Sequence, residues 1–173
     1  GLGDVYKRQL HKYYGKPRID FEMLKSRHDG LICMSACMVG EVAKALRNGN
    51  EVLAEQVALK YKNLFGDDYY IEYQAHMVDE QQELNKKLIN LAVKLGIKYV
   101  VTCDAHYVRE EDQKYHSVFV QVGSSREAGE VYDDCYLQSE DDVIKKCVST
   151  MEYTSSAIAT LSLIHISEPT RQA

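Results

Sequence analysis

Asp104 and His106 flank Ala105 just beyond the apolar run Lys98-Tyr99-Val100-Val101-Thr102, and a carboxylate beside an imidazole at that spacing is the donor chemistry of a divalent-metal site. In an extended chain alternate side chains share a face, so the two Cα atoms are expected roughly 6.6 Å apart. At that separation an oxygen and a nitrogen can converge on one ion at about 2.0–2.2 Å. Asp-x-His is also a common tripeptide, in which the Asp caps a turn and the His is half exposed. The elements around it decide between the two readings.

Those elements alternate. Leu31-Ile32-Cys33-Met34-Ser35 after Asp29-Gly30 predicts a turn feeding a buried strand. Val42–Arg47 predicts a short helix closed by Asn48-Gly49. Asn50 is placed to cap a second helix, with Leu53, Val57, Tyr61 and Leu64 at helical spacing and Gly66 as its stop. A strand at Tyr69–Tyr73 follows at once. Asp79 is expected to cap a longer helix whose Leu84, Leu88, Leu91 and Leu95 form one stripe, with Gly96 past its end. Strands joined through helices by short connections, and apolar on both faces, predict an α/β fold of parallel strands covered by helices.

In such folds the C-terminal strand ends carry the ligands. Here the three ends read Ser35-Ala36-Cys37, Gln74-Ala75-His76 and Asp104-Ala105-His106, so metal-capable side chains fall on one predicted edge. Cys33 and Cys37 cannot share an ion from one extended strand, because four residues separate them by roughly 13 Å. Cys33, inside the apolar run, is read as a small buried hydrophobe, and Cys37 is the freer candidate. Cys103, Cys135 and Cys147 are read as packing or tail residues. His76 lies on the right edge but alone in its loop; His116 is read as part of a helix, and His11 and His28 as surface residues. Glu110–Lys114 reads as a solvated helix start, with acids at the positive end of the dipole. Neither a glycine-rich phosphate loop nor a Ser-His-Asp arrangement is visible.

The chain ends read differently from its middle. Back-translating residues 1–9 as GGG CTC GGA GAT GTG TAT AAG AGA CAG and reading the complementary strand in frame returns Leu161–Pro169. We therefore read residues 1–9 and 161–173 as translated sequencing adapter, to be excluded from fold reasoning like a tag, and residues 10–160 as the natural segment. The whole chain carries a formal charge of −5. Without Lys7, Arg8, Arg171, Asp4 and Glu168, 18 basic residues face 24 acidic ones, a net −6. Such a surface binds a nucleic-acid backbone poorly by itself, since that affinity comes mainly from Lys and Arg. No apolar run approaches the roughly 18 residues of a membrane span. Five cysteines in no paired framework point to a reducing compartment, and hence to the cytoplasm.

Five segments in order carry a resemblance: Lys16–Asp20, Gly30–Glu41, Phe65–Glu72, Glu80-Gln81 and Thr102–Tyr107, followed by Tyr136-Leu137-Gln138-Ser139. From about Lys16 to Asp142 the chain resembles the second half of a PHP (polymerase and histidinol phosphatase) domain, in the version found at the N-terminus of bacterial replicative DNA polymerase alpha subunits. The stretch Gly123–Ala128 departs from that pattern. The resemblance implies an incomplete, distorted (β/α)7 barrel with a strand-end cluster of up to three divalent ions (zinc or manganese, or magnesium). Carried over residue by residue, it implies metal ligands at Cys37, Asp104 and His106, with the remaining ligands on strands before Leu10 and the polymerase aspartates beyond Thr160. It implies a parent enzyme that is a DNA-directed DNA polymerase, in which this domain supplies either 3′–5′ exonuclease (proofreading) chemistry or a silent scaffold. A free-standing metal-dependent phosphoesterase is the alternative. DNA, bound through other regions of the parent, and replisome or proofreading subunits are the implied partners, with no membrane; the segment alone is expected to be inactive.

Overall fold

The computed structural model describes residues 19–123 and 134–150; the two stretches read as adapter lie outside the described residues, as do His11 and most of Gly123–Ala128. Contacts divide the chain into two units, Gly1–Leu31 and Ile32–Ala173, which are taken separately. In the first, helix α1 (Phe21–Lys25) is capped by Asp20, whose side chain accepts from the Met23 amide at 2.7 Å. His28, read as an isolated surface residue, instead has Nδ1 2.8 Å from the Lys25 carbonyl oxygen, over the helix end.

The second unit follows the expected alternation: β1 (Cys33–Met34), α2 (Glu41–Arg47), α3 (Glu51–Phe65), β2 (Tyr69–Gln74), α4 (Asp79–Leu95), β3 (Lys98–Thr102), α5 (Gln113–Gly123) and α6 (Glu140–Thr150). The strands form one parallel sheet in the order β1-β2-β3, with Cys33 beside Tyr69 and Ile71 beside Tyr99. Parallel pairing demands crossovers, which α2, α3 and α4 supply. This is the α/β architecture that the sequence predicts, with a first strand of two residues rather than five.

Leu84, Leu88 and Leu91 of the α4 stripe are buried, each adding roughly 1.5–3 kcal/mol, while Leu95 at its end is half-buried and Ala92 joins the buried face. The same face also carries two buried amides that the stripe conceals. Gln81 Nε2 donates to Asn85 Oδ1 at 2.8 Å, and Asn85 Nδ2 donates to the Gln74 carbonyl at 2.7 Å, pinning α4 to the C-terminal end of β2. In α3 the buried line is Ala54, Ala58 and Phe65, whereas Leu53 is exposed. The expected leucine stripe is displaced because α3 packs against α2, and alanines allow the closer approach.

Helix ends follow local chemistry. Asn50 caps α3 by accepting from the Leu53 amide at 3.0 Å. Gly96 closes α4 at φ 61°, a left-handed position natural to glycine. The cap of α4 is Val78, with no side-chain bond, and Asp79 is the first helical residue rather than the cap; there its charge still favours the positive end of the helix dipole. Among the described residues no helix is long and apolar enough to cross a membrane.

Candidate metal centre at the strand ends

Because the strands are parallel, the loops after Met34, Gln74 and Thr102 leave from one edge of the sheet. The first loop is tied to β2 and closed on itself. Ser35 donates its amide to the Tyr70 carbonyl at 3.0 Å, and its Oγ accepts from the Glu72 amide at 2.9 Å, replacing the ladder partner lost where β1 ends. Ala36 then takes φ 64°, and the Gly40 amide donates to the Cys37 carbonyl at 2.8 Å. Only glycine fits at 40, since a Cβ there would lie 2.4 Å from the Ser35 oxygen. Arg47 ties this loop to α4, donating to Glu80 Oε1 at 2.9 and 2.6 Å and to the Met38 carbonyl at 3.4 Å. Cys37 sits partly buried in the loop.

The third loop departs from the extended geometry expected for it. Strand β3 stops at Thr102, and Asp104 turns into the left-handed region at φ 42°. Even so, Asp104 Oδ1 and His106 Nε2 come within 3.6 Å, both side chains about one-third exposed. Two donors each about 2.1 Å from a single ion can span up to roughly 4 Å, so this pair fits a divalent cation. His116 of α5 packs edge-on to His106 with ring centroids 5.6 Å apart, and Tyr107 lies 5.4 Å from it on the same measure. Burial and the neighbouring His106 push the His116 imidazole below its usual range.

The structure brings Asp104 and His106 together but does not gather Cys37 with them: among the described residues, no three His, Cys, Asp or Glu side chains stand close enough to hold a metal ion. The topology explains this, since β2 lies between β1 and β3. Two strand spacings separate their backbones by roughly 9.5 Å.

Cys135 and Cys147, read as packing or tail residues, are both buried. Cys147 belongs to a core cluster with Tyr73, Ala75, Val101 and Val143, and burial raises its thiol to about 11. Cys135 is buried against His76, Sγ to Nδ1 4.0 Å. Cys33 is partly buried, as the apolar run suggests, and its thiol is raised to about 11 by burial. His76 is itself 7% exposed, and burial holds its imidazole below the usual value against the opposing pull of Asp104 and Asp134.

Sequence reasoning missed the segment that closes this site. The amides of His106 and Tyr107 both donate to the Cys135 carbonyl, at 2.7 and 3.3 Å, and the Leu137 amide returns to the Tyr107 carbonyl at 3.1 Å. Tyr136 thereby forms a parallel bridge with Tyr107. The tyrosine-leucine-glutamine-serine run was visible as a pattern; its role as a clasp on Asp-x-His was not, because the contact spans thirty residues.

The family model of the PHP domain matches residues 4–76, an interval beginning inside the stretch read as adapter. DNA polymerase III subunit alpha of Treponema pallidum is 37% identical over 142 residues, covering 78% of this chain and 12% of that protein. The subunit alpha of Aquifex aeolicus is 38% identical over 132 residues (76% and 11%), and that of Deinococcus radiodurans 43% over 110 residues (64% and 8%). The chain thus spans about a tenth of the length of the curated relatives it matches. Residues 4–76 thus match the PHP domain family, and about three quarters of the chain is similar to DNA polymerase III alpha subunits.

Proposed function

We propose that this chain is part of the metal-binding PHP module of a replicative DNA polymerase, with Cys37, Asp104 and His106 as ligands on the open edge of an incomplete (β/α)7 barrel. The observation that carries the reading is the 3.6 Å approach of Asp104 and His106 at the strand edge from which the Cys37 loop also leaves. Zinc, manganese or magnesium, up to three ions, would complete the site together with donors from strands of the parent outside this chain. When bound, such ions activate water and stabilise both oxygens of a phosphodiester displacement. Asp104 and His106 hold and orient rather than act as bases, and the Cys135 clasp keeps them in register. The polymerase context is supported by the names of the relatives; it implies DNA and replisome or proofreading partners, and a cytoplasmic location.

The test is 3′–5′ degradation of a primer strand by a longer protein carrying this sequence, in Mn²⁺. Asp104→Asn and His106→Asn should each lower degradation about a hundredfold, within the usual range for losing groups that organise phosphoryl chemistry, while DNA synthesis persists. Unchanged degradation would favour a catalytically silent scaffold, and absence of any DNA synthesis would favour a free-standing phosphoesterase.

A further inference from the structure

We propose that His76 is a positioning residue for the Asp104–His106 pair, acting through Cys135. The inference deepens the metal-site reading and rests on it for its metal arm alone.

A connected path supports it. Gln81 and Asn85 of α4 lock the Gln74 carbonyl, and the His76 amide donates to that same carbonyl at 2.9 Å while the Ala75 amide donates to the Thr102 carbonyl at 3.3 Å. The backbone of His76 is thus fixed between β2 and β3. Its Nδ1 meets Cys135 Sγ at 4.0 Å, and the carbonyl of Cys135 takes the two amides that set the course of the loop at His106 and Tyr107. Cys135 is held from its other side: Asp134 pairs with Lys146, and Gln138 Nε2 donates to the Asp134 carbonyl at 2.8 Å. Removing the imidazole frees the sulfur to shift, and with it the carbonyl that seats the pair.

The second ring nitrogen argues against a purely structural histidine. Among the described residues, His76 Nε2 is buried without a hydrogen-bond partner, as are Asp134 Oδ2 and Gln138 Oε1 in the same clasp. An unsatisfied buried polar atom costs about 1–3 kcal/mol, which a leucine at 76 would avoid. The imidazole therefore does something for the site that it does not do for the core.

The test compares His76→Leu, His76→Gln and Cys135→Ala with the unaltered full chain, by hydrogen exchange at single amides and by Mn²⁺ titration of a longer protein carrying the sequence. His76→Leu and Cys135→Ala should speed exchange of the His106 and Tyr107 amides about tenfold, leave α3 amides at wild-type protection, and weaken Mn²⁺ binding about tenfold, the low end for outer-shell partners of a metal ligand. His76→Gln, which keeps a polar group toward sulfur, should recover most of both. Wild-type exchange at those amides in His76→Leu and Cys135→Ala would overturn the proposal. Should the unaltered protein take up no Mn²⁺ while His76→Leu still loosens the two amides, the metal reading falls and the bracing role stands.

Discussion

The two loops at the outer strands' C-terminal ends solve one problem with different partners. Each leaves its strand through a non-glycine residue in the left-handed region, Ala36 at φ 64° and Asp104 at φ 42°, a conformation that costs about 1–2 kcal/mol. Around Cys37 the strain is held by the sheet and its crossover helix: Ser35 bonds to Tyr70 and Glu72 of β2, Gly40 closes on the Cys37 carbonyl, and Arg47 reaches across to Glu80 of α4. Around Asp104 it is held by a segment outside the sheet, Cys135–Leu137, with His76 packed behind it. The first loop is complete once β2 and α4 are in place, whereas the second also needs the segment from Asp134 onward docked against it. The ligand pair sits on the second.

The largest effect expected from breaking this contrast is Gly40→Ala. The added methyl meets a backbone oxygen that cannot swing aside, so we expect a loss of about 3 kcal/mol by chemical denaturation, at the upper end for overpacking, with the first loop disordered. Asn85→Ala comes next. It leaves the Gln74 carbonyl and the Gln81 amide without their buried partner and should cost about 2 kcal/mol, loosening the β2 end beneath His76 while sparing the Cys37 loop.

A smaller effect separates the loops by pH. Burial lowers the folded-state pKa of His76 from an ordinary 6.5, with Lys146 adding to that effect and Asp104 and Asp134 opposing it. The unfolded chain therefore takes up the proton first. Stability from the neutral ring is present above about pH 6.5 and is lost as pH falls toward the folded value. Thermal midpoints should drop between about pH 7 and pH 5, and His76→Leu should flatten that drop. The smallest effect is Ala36→Gly, which relieves the left-handed strain but adds freedom to the unfolded chain. A net gain of about 0.5 kcal/mol is expected, visible as a slightly higher denaturation midpoint.

What could be read from the sequence divides by how far each contact reaches along the chain. Gly66 and Gly96 ended their helices, Asn50 capped α3, and the leucines of α4 faced inward, because each is decided within a few residues. Asp104 and His106 were legible as a pair for the same reason. The alanine line of α3 was not, since its burial depends on how closely α2 approaches. Nor was the clasp: Cys135 and Cys147 stand in a polar stretch, and only the packing of residues 134–150 against the ends of β2 and β3 buries them. His76, alone in its loop by sequence, gains its partner from that same segment.

The central claim is that one metal centre draws on both loops. Zinc K-edge absorption of a zinc-loaded longer protein carrying this sequence measures it directly. We predict a sulfur shell at about 2.3 Å together with nitrogen and oxygen at about 2.0–2.2 Å, with Cys37→Ser removing the sulfur shell and Asp104→Asn lowering zinc content. A first shell without sulfur, or one unchanged by Cys37→Ser, would contradict it.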